Sequence, residues 1–327
     1  MMVHAIELDR FGDPSVLSWR SVSVGRPGAG YVKVRHTAVG VNFIDIVQRR
    51  GSSPIPLTLP SGLGGEAAGI IEELGSEVSE FAVGDRVAYA NVYGGAYAEV
   101  RLIRASALVK LPEQITDRQA AAIMLKGMTA RCLVKQVANI KEGDVVLFHA
   151  AAGGVGLIAC QWLKYLGAIV IGTVSNETKA SLARANGCDH VIVYQHEKVS
   201  QRVAEITNGQ RVHVVFDSVG KETFMQSLEC LRPRGLAVLF GQASGPVPPL
   251  DLGILASRGA LFVTRPTLTA YVATRDELLA NADDLFGVVT SGAIKISINQ
   301  TYQLRNAEQA HRDMESRQTT GSSVLLV

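Results

Sequence analysis

The chain has 327 residues, about twice the roughly 150 residues of a typical domain, which excludes a peptide-sized or disulfide-stapled module and predicts one large α/β domain or two domains. Apolar residues make up 47% of the chain and charged residues 19%, a charged fraction below the roughly 25% of an average soluble protein, so we expect a compact fold without long disordered tails. The 32 Lys and Arg against 30 Asp and Glu leave a net charge of +2. Because neither sign forms a long run, nucleic acid and anionic membranes are not expected partners.

The first residues of the chain bear on its location. Glu7 and Asp9 lie where a secretory signal needs an apolar core, so we predict no signal peptide and a cytoplasmic location. The 19 residues 145–163 carry no formal charge, but their glycine-rich centre predicts a buried strand, turn and helix instead of a membrane span. The cysteines show no metal-ligand spacing and are expected to be buried, reduced thiols: Cys132, Cys160, Cys188 and Cys230.

Short strands between glycine-marked turns dominate the first third of the chain and predict a β-rich, barrel-like unit. These strands are residues 3–8, 31–36, 68–74, 85–90 and 97–103. From about Thr116 the apolar period lengthens to that of helices.

After Gly143, strands alternate with amphipathic helices, which is typical of right-handed βαβ units in a parallel sheet. The predicted strands are residues 145–149, 169–174, 190–194, 212–217, 236–240 and 260–264. The predicted helices between them are residues 155–166, 177–186, 197–207 and 222–231. Six strands in this arrangement predict a doubly wound α/β sheet.

The last part of the chain is too short to form a domain alone. It contains a predicted helix at 275–291 and short strands near Ile294 and Val324, so we expect it to return to the first unit. The predicted organisation is a β-rich domain over 1–125, a dinucleotide-binding domain over 126–265, and a return to the first domain over 266–327.

The sequence HAAAGGVG at 149–156 directly follows a predicted buried strand and opens a helix. Aligned with the dinucleotide-binding pattern G-x-G-x-x-G, it places Ala151, Gly153 and Gly156 at the three glycine positions. Gly153 lets the backbone approach a pyrophosphate, Gly156 lets the helix pack on the sheet, and the free N–H groups at the helix start favour phosphate charge. The βαβ context therefore predicts a Rossmann nucleotide site, although the first glycine is lost.

The end of the second strand of this unit bears on the choice of cofactor, because NAD enzymes place an Asp or Glu there against the ribose 2′-hydroxyl. Residues 173–176 read TVSN and contain no carboxylate. Lys179 follows on the next helical turn, and Tyr194 and Arg317 are further donors that the fold could bring to the same corner. A missing acid together with nearby cations favours a 2′-phosphate, hence NADP(H).

Motifs in order along the whole chain resemble one known family. They are GVNFID at 40–45, PSGLGGEAAG at 60–69, GDRV at 84–87, LKGMTA at 125–130, HAAAGGVGLIACQWLK at 149–164, FDSVG at 216–220 and TRP at 264–266. In this combination the chain resembles the zeta-crystallin-type quinone oxidoreductases, a zinc-free branch of the medium-chain dehydrogenases/reductases. The resemblance implies a GroES-like catalytic domain interrupted by a Rossmann domain, and NADPH as the cofactor.

The resemblance also implies site residues. Asn42 is expected near the nicotinamide and the acceptor, as a polar contact for charge that develops on the acceptor oxygen. Thr129 is expected at the nicotinamide end. The other expected cofactor contacts are Gly153, Gly154, Val155, Gly156, Ser175, Lys179, Tyr194, Ser218, Phe240, Gly241, Ser244, Thr264 and Arg265, together with Arg317.

The resemblance further bears on metal binding. Zinc dehydrogenases of the wider superfamily hold catalytic zinc with Cys, His and Cys where this chain has Asn42, Gly65 and Leu125. Glu66 alone cannot supply the roughly three protein ligands of a catalytic zinc. We therefore expect no metal, and an acceptor such as a quinone, which needs less electrophilic help than a simple ketone because its product is an aromatic diol or its anion.

The leading hypothesis is an NADPH-dependent quinone reductase, and two alternatives stay open. One is reduction of the activated C=C bond of enones or enals with the same cofactor geometry. The other is a non-enzymatic, RNA-binding role like that of some zeta-crystallins, for which the chain lacks a basic stripe. Val47 and Ser53 stand where relatives often have tyrosines, which predicts a differently shaped acceptor pocket. Residues 260–264 predict an apolar edge strand, so we expect a homodimer through that strand.

Overall fold

The computed structural model describes the whole chain, Met1–Val327. Its strands, in chain order, are β1 (Met2–Leu8), β2 (Ser18–Ser23), β3 (Tyr31–Val41), β4 (Ser61–Gly62), β5 (Ala67–Leu74), β6 (Arg86–Tyr89), β7 (Val100–Arg104), β8 (Val109–Lys110), β9 (Val145–Phe148), β10 (Ile169–Val174), β11 (His190–Val193), β12 (Val212–Asp217), β13 (Leu231–Leu239), β14 (Phe262–Thr264), β15 (Ile298–Gln303) and β16 (Ser322–Leu326).

The α-helices are α1 (Phe43–Arg49), α2 (Asp117–Arg131), α3 (Gly154–Tyr165), α4 (Glu177–Ala185), α5 (Val199–Ile206), α6 (Phe224–Cys230), α7 (Gly253–Ser257), α8 (Leu268–Tyr271), α9 (Arg275–Thr290) and α10 (Ala307–Glu315). A π-helical segment, Cys132–Val137, continues from α2, and short 3₁₀ turns occupy Pro14–Val16, Ala105–Ala107 and Leu304–Asn306.

The chain divides into two compact units. The β-rich unit comprises Met1–Met128, Ala273–Thr290 and Ile296–Val327, and the α/β unit comprises Thr129–Val272 and Ser291–Lys295. The chain therefore leaves the β-rich unit, returns to it, and contributes a second short segment, Ser291–Lys295, to the α/β unit. The boundaries fall after Met128 and Val272, whereas the sequence placed them after 125 and 265.

The β-rich unit contains two sheets. A seven-stranded sheet has the order β15-β16-β3-β5-β6-β8, with β7 paired to β3, and a three-stranded sheet has the order β2-β1-β4. Strand β3 is central because its 11 residues pair with β16, β5 and β7. The core beneath the larger sheet includes Val34, Val39, Ile71, Val87 and Leu325, all buried.

The α/β unit is built on six strands in the order β11-β10-β9-β12-β13-β14, and all of its neighbouring strands pair in parallel. Counted within the unit, this is the order 3-2-1-4-5-6 of a Rossmann sheet, with the topological switch between β9 and β12. Leu147, Ile171, Val215 and Ala237 fill its core. The expected fold, a doubly wound sheet inserted into a GroES-like, β-rich unit, is confirmed.

Two sequence-based expectations about strands are wrong. Strand β13 begins at Leu231 and not near 236, because its pairing with β12 shifts register after Val212 and Arg234 adopts a left-handed φ of 60°. The strand expected near Ile294 is absent there, since Ile294 is a buried loop residue and the strand begins at Ile298. The start of β13 was expected too late because its first residues, LRPRG at 231–235, lack the apolar pattern of a strand. The strand near Ile294 was expected because an apolar residue predicts burial and cannot distinguish a packed loop from a strand.

No helix in the structure combines the length and the apolar character needed to cross a bilayer. All four cysteines are buried and free.

Candidate functional site

The HAAAGGVG turn joins β9 to α3 at the switch point of the parallel sheet. Helix α3 begins at Gly154 with Gly153 as its N-cap, and no side chain caps its first N–H groups. A methyl group on Gly156 would lie 2.6 Å from the Ala151 carbonyl oxygen, so glycine is needed for α3 to pack this closely. A methyl group on Gly153 would meet only the Ala150 carbonyl oxygen, at 3.2 Å, which leaves the turn open. An uncapped helix start beside an open glycine turn fits an anion such as a pyrophosphate.

The predicted cofactor residues that follow β12, β13 and β14 lie at the same edge of this sheet, because parallel strands end together there. In the strand register Phe216 pairs with Val238, and Val238 pairs with Thr264. The loops after β12 and β13 are tied together, since Ser244 Oγ donates to the Val219 carbonyl oxygen at 2.7 Å. The Ser244 hydroxyl therefore holds the loop after β13 against the loop after β12.

Three further predicted residues line this edge. A methyl group on Gly241 would lie 2.8 Å from the Ser218 carbonyl oxygen, so glycine is required where the two loops approach each other. The Phe240 ring lies against Phe148 with their centroids 5.6 Å apart. Arg265 directly follows β14. The sheet thus brings these residues together at the edge where α/β proteins bind nucleotides.

The corner at the end of β10 holds the residues predicted to choose the cofactor. Ser175 follows the strand, and Asn176 caps α4 by accepting a hydrogen bond from Lys179 N at 2.9 Å. Tyr194 N donates to the Val174 carbonyl oxygen at 3.1 Å, so Tyr194 lies beside the end of β10. The structure therefore gathers Ser175, Lys179 and Tyr194 at a strand end that carries no acid.

Two predicted cofactor residues lie outside the strand ends of the α/β unit. Thr129 is a half-buried residue of α2, three residues after Lys126. Arg317 belongs to the β-rich unit, in the turn after α10, with a left-handed φ of 60°. The contact of Arg317 with a cofactor phosphate stays a prediction.

A buried polar chain that the sequence analysis did not identify supports the β9 and β12 strand ends. His149 Nδ1 lies 2.9 Å from Thr173 Oγ1, and His149 Nε2 lies 3.0 Å from Ser227 Oγ. Ser227 Oγ donates to Asp217 Oδ2 at 2.7 Å, and Asp217 Oδ1 accepts from Val219 N at 2.8 Å. Burial lowers the pKa of His149 although the nearby Asp217 charge raises it. These polar contacts therefore fix the turn after β12. The aspartate of the FDSVG motif, Asp217, was the feature of the sequence that could have indicated them.

In the β-rich unit the predicted catalytic residue Asn42 is the N-cap of α1 and is held by a buried carboxylate. Glu66 is fully buried and accepts hydrogen bonds from Asn42 Nδ2 at 2.8 Å, from Leu125 N at 2.7 Å and from Lys126 Nζ at 3.3 Å. Asn42 and Lys126 contact the same oxygen, Glu66 Oε2. Glu66 therefore fixes the orientation of the Asn42 amide, whose Nδ2 carries a second N–H.

Asp45 lies one turn into α1 and ends a second buried chain. Its Oδ2 accepts from Asn42 N at 2.9 Å and from Tyr97 Oη at 3.0 Å. Tyr97 Oη lies 3.0 Å from His311 Nε2, and His311 Nδ1 lies 3.4 Å from Arg49 Nη1. Because arginine only donates, Nδ1 accepts and the proton of a neutral His311 is on Nε2.

Two groups of this chain have shifted pKa values. Burial raises the pKa of Asp45 to about 7, against the lowering effect of its bonds from Asn42 and Tyr97. Burial, together with the nearby Arg49 charge, lowers the pKa of His311 to about 3. Near neutral pH His311 is therefore neutral, while Asp45 is close to half-protonated and its Oδ1 has no hydrogen-bond partner.

From the sequence, Glu66 was expected only as an insufficient zinc ligand, and Lys126 had no predicted role. The available signal was charge in an apolar run, since Lys126 is the sole charged residue between Arg118 and Arg131. A lysine there must be buried with a partner or reach solvent at a helix face. In the structure Lys126 is buried with a partner, because it is 6% exposed and paired with Glu66.

The structure brings together no group of three His, Cys, Asp or Glu side chains with the arrangement of a metal site. At position 65 a side chain would lie 2.5 Å from the Tyr93 ring, so Gly65 could not be replaced by histidine without rearrangement. The space around Glu66 is occupied by the Asn42 amide and the Lys126 ammonium group, and an ammonium group repels a metal cation.

The chain is similar to known proteins over its full length. The family profile for the alcohol dehydrogenase GroES-like domain matches residues 28–113, and that for zinc-binding dehydrogenase matches residues 154–280. A quinone oxidoreductase of Pseudomonas aeruginosa is 51% identical, covering 99% of this chain and 100% of its own length. The crystal structure of Escherichia coli quinone oxidoreductase complexed with NADPH has a TM-score of 0.97 and 47% identity, covering 99% of this chain and 100% of that one. A 2-haloacrylate reductase of Burkholderia sp. is 46% identical, with 99% of each chain covered.

Identity of this size over both units, together with a Rossmann sheet inserted into a β-rich unit, is the pattern of common descent and not of a shared fold alone. The chain belongs to the quinone oxidoreductase family of the medium-chain dehydrogenases/reductases.

Proposed function

We propose that this protein catalyses the NADPH-dependent reduction of quinones. The observation that carries the proposal is the open glycine turn at Gly153, with the uncapped start of α3 beside a strand end that lacks an acid. Membership of the quinone oxidoreductase family supports the same reaction. When bound, NADPH would supply the acceptor with a hydride, which is one proton and two electrons.

We expect different residues of this chain to bind different parts of NADPH. The backbone N–H groups of Gly154, Val155 and Gly156 at the start of α3 face the pyrophosphate. Ser175, Lys179 and Tyr194 would bind the 2′-phosphate, and Arg317 is expected to contribute a further contact to it. Thr129 contacts the nicotinamide end, and the wall of the site is formed by Ser218, Phe240, Gly241, Ser244, Thr264 and Arg265.

Asn42 is the catalytic residue of the proposal. One N–H of its amide bonds to Glu66, which leaves the second for an acceptor oxygen that gains negative charge. Because Glu66 is buried and is also held by Leu125 N, the amide keeps its orientation before the acceptor binds. A donor held in this way stabilises charge without reorganisation during the reaction.

The proposed reaction runs without zinc. Asn42, Glu66 and Lys126 offer an amide, one carboxylate and an ammonium group, whereas a catalytic zinc takes about three ligands of the thiolate, imidazole or carboxylate type. The Asn42 amide supplies a hydrogen-bond donor instead.

Reduction of an activated C=C bond is the second candidate. It is favoured by one observation, the 46% identity to a 2-haloacrylate reductase, because a haloacrylate carries a C=C bond conjugated with a carboxylate. Quinone reduction is the better-supported candidate, since the relatives of similar or greater identity include several quinone oxidoreductases.

The remaining proposals concern assembly and location. Strand β14 is an edge strand with Phe262 60% and Val263 38% exposed, and an uncovered apolar edge favours pairing with a second copy. We expect sedimentation of a dimer at micromolar concentration, and monomer alone would contradict this. The free cysteines favour a reducing cytoplasm, and the near-neutral charge argues against a nucleic-acid partner.

The test is the rate of NADPH oxidation against a panel of ortho-quinones, para-quinones and enones, with reactions lacking protein as the control for direct reduction. We expect quinones to have the highest kcat/KM. Turnover of enones with no turnover of any quinone would favour C=C reduction and contradict the proposal.

A further inference from the structure

We propose that Lys126 is a second catalytic residue, whose ammonium group donates a hydrogen bond to the acceptor oxygen and balances its negative charge. This inference rests on the proposed quinone reduction. It names a residue that neither the sequence analysis nor the resemblance assigned.

The first support is that the Lys126–Glu66 pair is not explained by packing. Glu66 is fully buried and the Lys126 side chain is 7% exposed, and a buried ion pair is often no more stable than apolar residues of the same volume. Lys33, on β3, provides a comparison within the same unit. It is also buried, but its partner Glu73 is 37% exposed and therefore hydrated. The Lys126 pair has no such access to water.

The second support is the arrangement of donors around Glu66 Oε2. Asn42 Nδ2 and Lys126 Nζ both lie within 3.3 Å of this one oxygen. An ammonium group has three N–H donors and an amide nitrogen has two, so each keeps donors beyond the bond to Glu66. Two neighbouring donors aimed at one developing oxyanion are a recurrent catalytic arrangement.

The third support is charge. Glu66 is a buried anion beside the proposed site of negative charge, and Asp45 is a second acid on the neighbouring turn of chain. Without a cation these groups would oppose charge on the acceptor oxygen. Lys126 is the cation that contacts Glu66, so the pair is neutral overall and Lys126 keeps donors available.

The position of Lys126 on α2 agrees with this role. Lys126 precedes Thr129 by three residues on the helix, and residues three apart lie on the same side of a helix. Thr129 is the residue proposed for the nicotinamide end of the cofactor. Lys126 therefore shares one side of α2 with the residue proposed for the nicotinamide end.

The experiment compares Lys126→Met with Lys33→Met, which removes the other buried lysine of the unit. Binding of 4-nitrophenol in the presence of NADP⁺ gives a readout that does not depend on turnover, because its visible absorption reports ionisation to a phenolate that resembles the reduced acceptor. We expect Lys126→Met to raise the apparent pKa of bound 4-nitrophenol by about one unit and to lower kcat with 1,4-benzoquinone about tenfold to a hundredfold. Lys126→Arg should restore part of both effects, and Lys33→Met should leave both unchanged.

Lys126→Met leaves Glu66 buried without its cation and can fail to fold. The double variant Lys126→Met, Glu66→Gln removes both charges and should fold while still lacking the donor. The proposal is overturned if the folded variants keep the wild-type nitrophenol pKa and kcat, or if Lys33→Met shows losses equal to those of Lys126→Met. A wild-type protein that reduces no quinone would instead count against the proposed function, and the nitrophenol titration would still decide the role of Lys126.

Discussion

Ala151 and Gly172 share one narrow space between the end of β9 and strand β10. A methyl group on Gly172 would lie 2.8 Å from the Ala151 Cβ and 2.7 Å from the Cys188 sulfur. Ala151 stands where the dinucleotide-binding pattern has its first glycine. Alanine fits there because the neighbouring strand has no side chain at position 172, so the missing glycine of the motif is compensated on β10.

The first prediction follows from this contact. Gly172→Ala should lower the free energy of unfolding by about 1–3 kcal/mol, because added volume in a packed interior forces its neighbours apart, and it should weaken NADPH binding by displacing the glycine turn. Denaturant unfolding and fluorescence titration measure the two effects. Gly25→Ala is the matched control, since no atom lies within 4 Å of the added methyl group. Equal stability of Gly172→Ala and wild type would contradict the compensation.

The second prediction concerns Asn42. Asn42→Ala should lower quinone turnover by about tenfold to a hundredfold, corresponding to one hydrogen bond of roughly 1.4–2.7 kcal/mol in the transition state. The Kd for NADPH should change much less, because the donor acts mainly on developing charge. Steady-state kinetics and cofactor titration separate the two. Unchanged turnover with weaker NADPH binding would show that Asn42 is only a cofactor contact.

The third prediction concerns cofactor choice. Wild type should prefer NADPH to NADH, and Lys179→Ala should weaken NADPH binding by roughly tenfold or more while NADH binding hardly changes, because a charge-assisted bond to the 2′-phosphate is worth about 1.5–3 kcal/mol. Titration of both cofactors on wild type and variant isolates the phosphate contact. Lys198→Ala, on an exposed lysine at the start of α5, is the control. A wild-type preference for NADH would place the ribose end of the site elsewhere.

The fourth prediction is a pH dependence of stability from Asp45. Burial raises its pKa from 3.8 to about 7, so the folded protein binds this proton more tightly than the unfolded chain. The contribution of Asp45 to the free energy of unfolding is therefore present at low pH and falls as the pH rises from about 4 to about 7. Asp45→Asn removes the titration, so the variant should gain stability relative to wild type across that range, by up to about 1.4 kcal/mol per pH unit.

Denaturant unfolding of both proteins at a series of pH values measures this difference. His311 acts in the opposite direction, because its pKa is lowered from 6.5 to about 3 and its contribution is lost as the pH falls below 6.5. It is present in both proteins and cancels in the comparison. A stability difference that does not vary with pH would contradict the raised pKa of Asp45.

The parts of the structure that the sequence predicted are those set by local patterns. Alternation and helical period identified the strands from β9 to β12 and their helices, and the glycines of the turn at 153 and 156 identified the nucleotide site. The late start assigned to β13 and the misplaced strand at Ile294 show the limit of the method. In both cases backbone pairing with a distant segment determines the element, and apolar side chains alone do not reveal it.

The buried polar contacts of the β-rich unit could not be predicted from the sequence, for a related reason. Asn42, Glu66 and Lys126 meet only because β3, β5 and α2 pack together, and His311 reaches Tyr97 from 214 residues away. No spacing rule links such residues. The resemblance to a family singled out Asn42, but the carboxylate that orients it was visible only in three dimensions.

We propose that this protein reduces quinones with NADPH and without a metal. The most direct measurement is the NADPH:quinone reductase rate of protein treated exhaustively with a zinc chelator, with metal content determined on the same sample. We expect full activity at negligible zinc, because Asn42 and Gly65 cannot replace thiolate and imidazole ligands. Activity that is lost on chelation and restored by added zinc would contradict it.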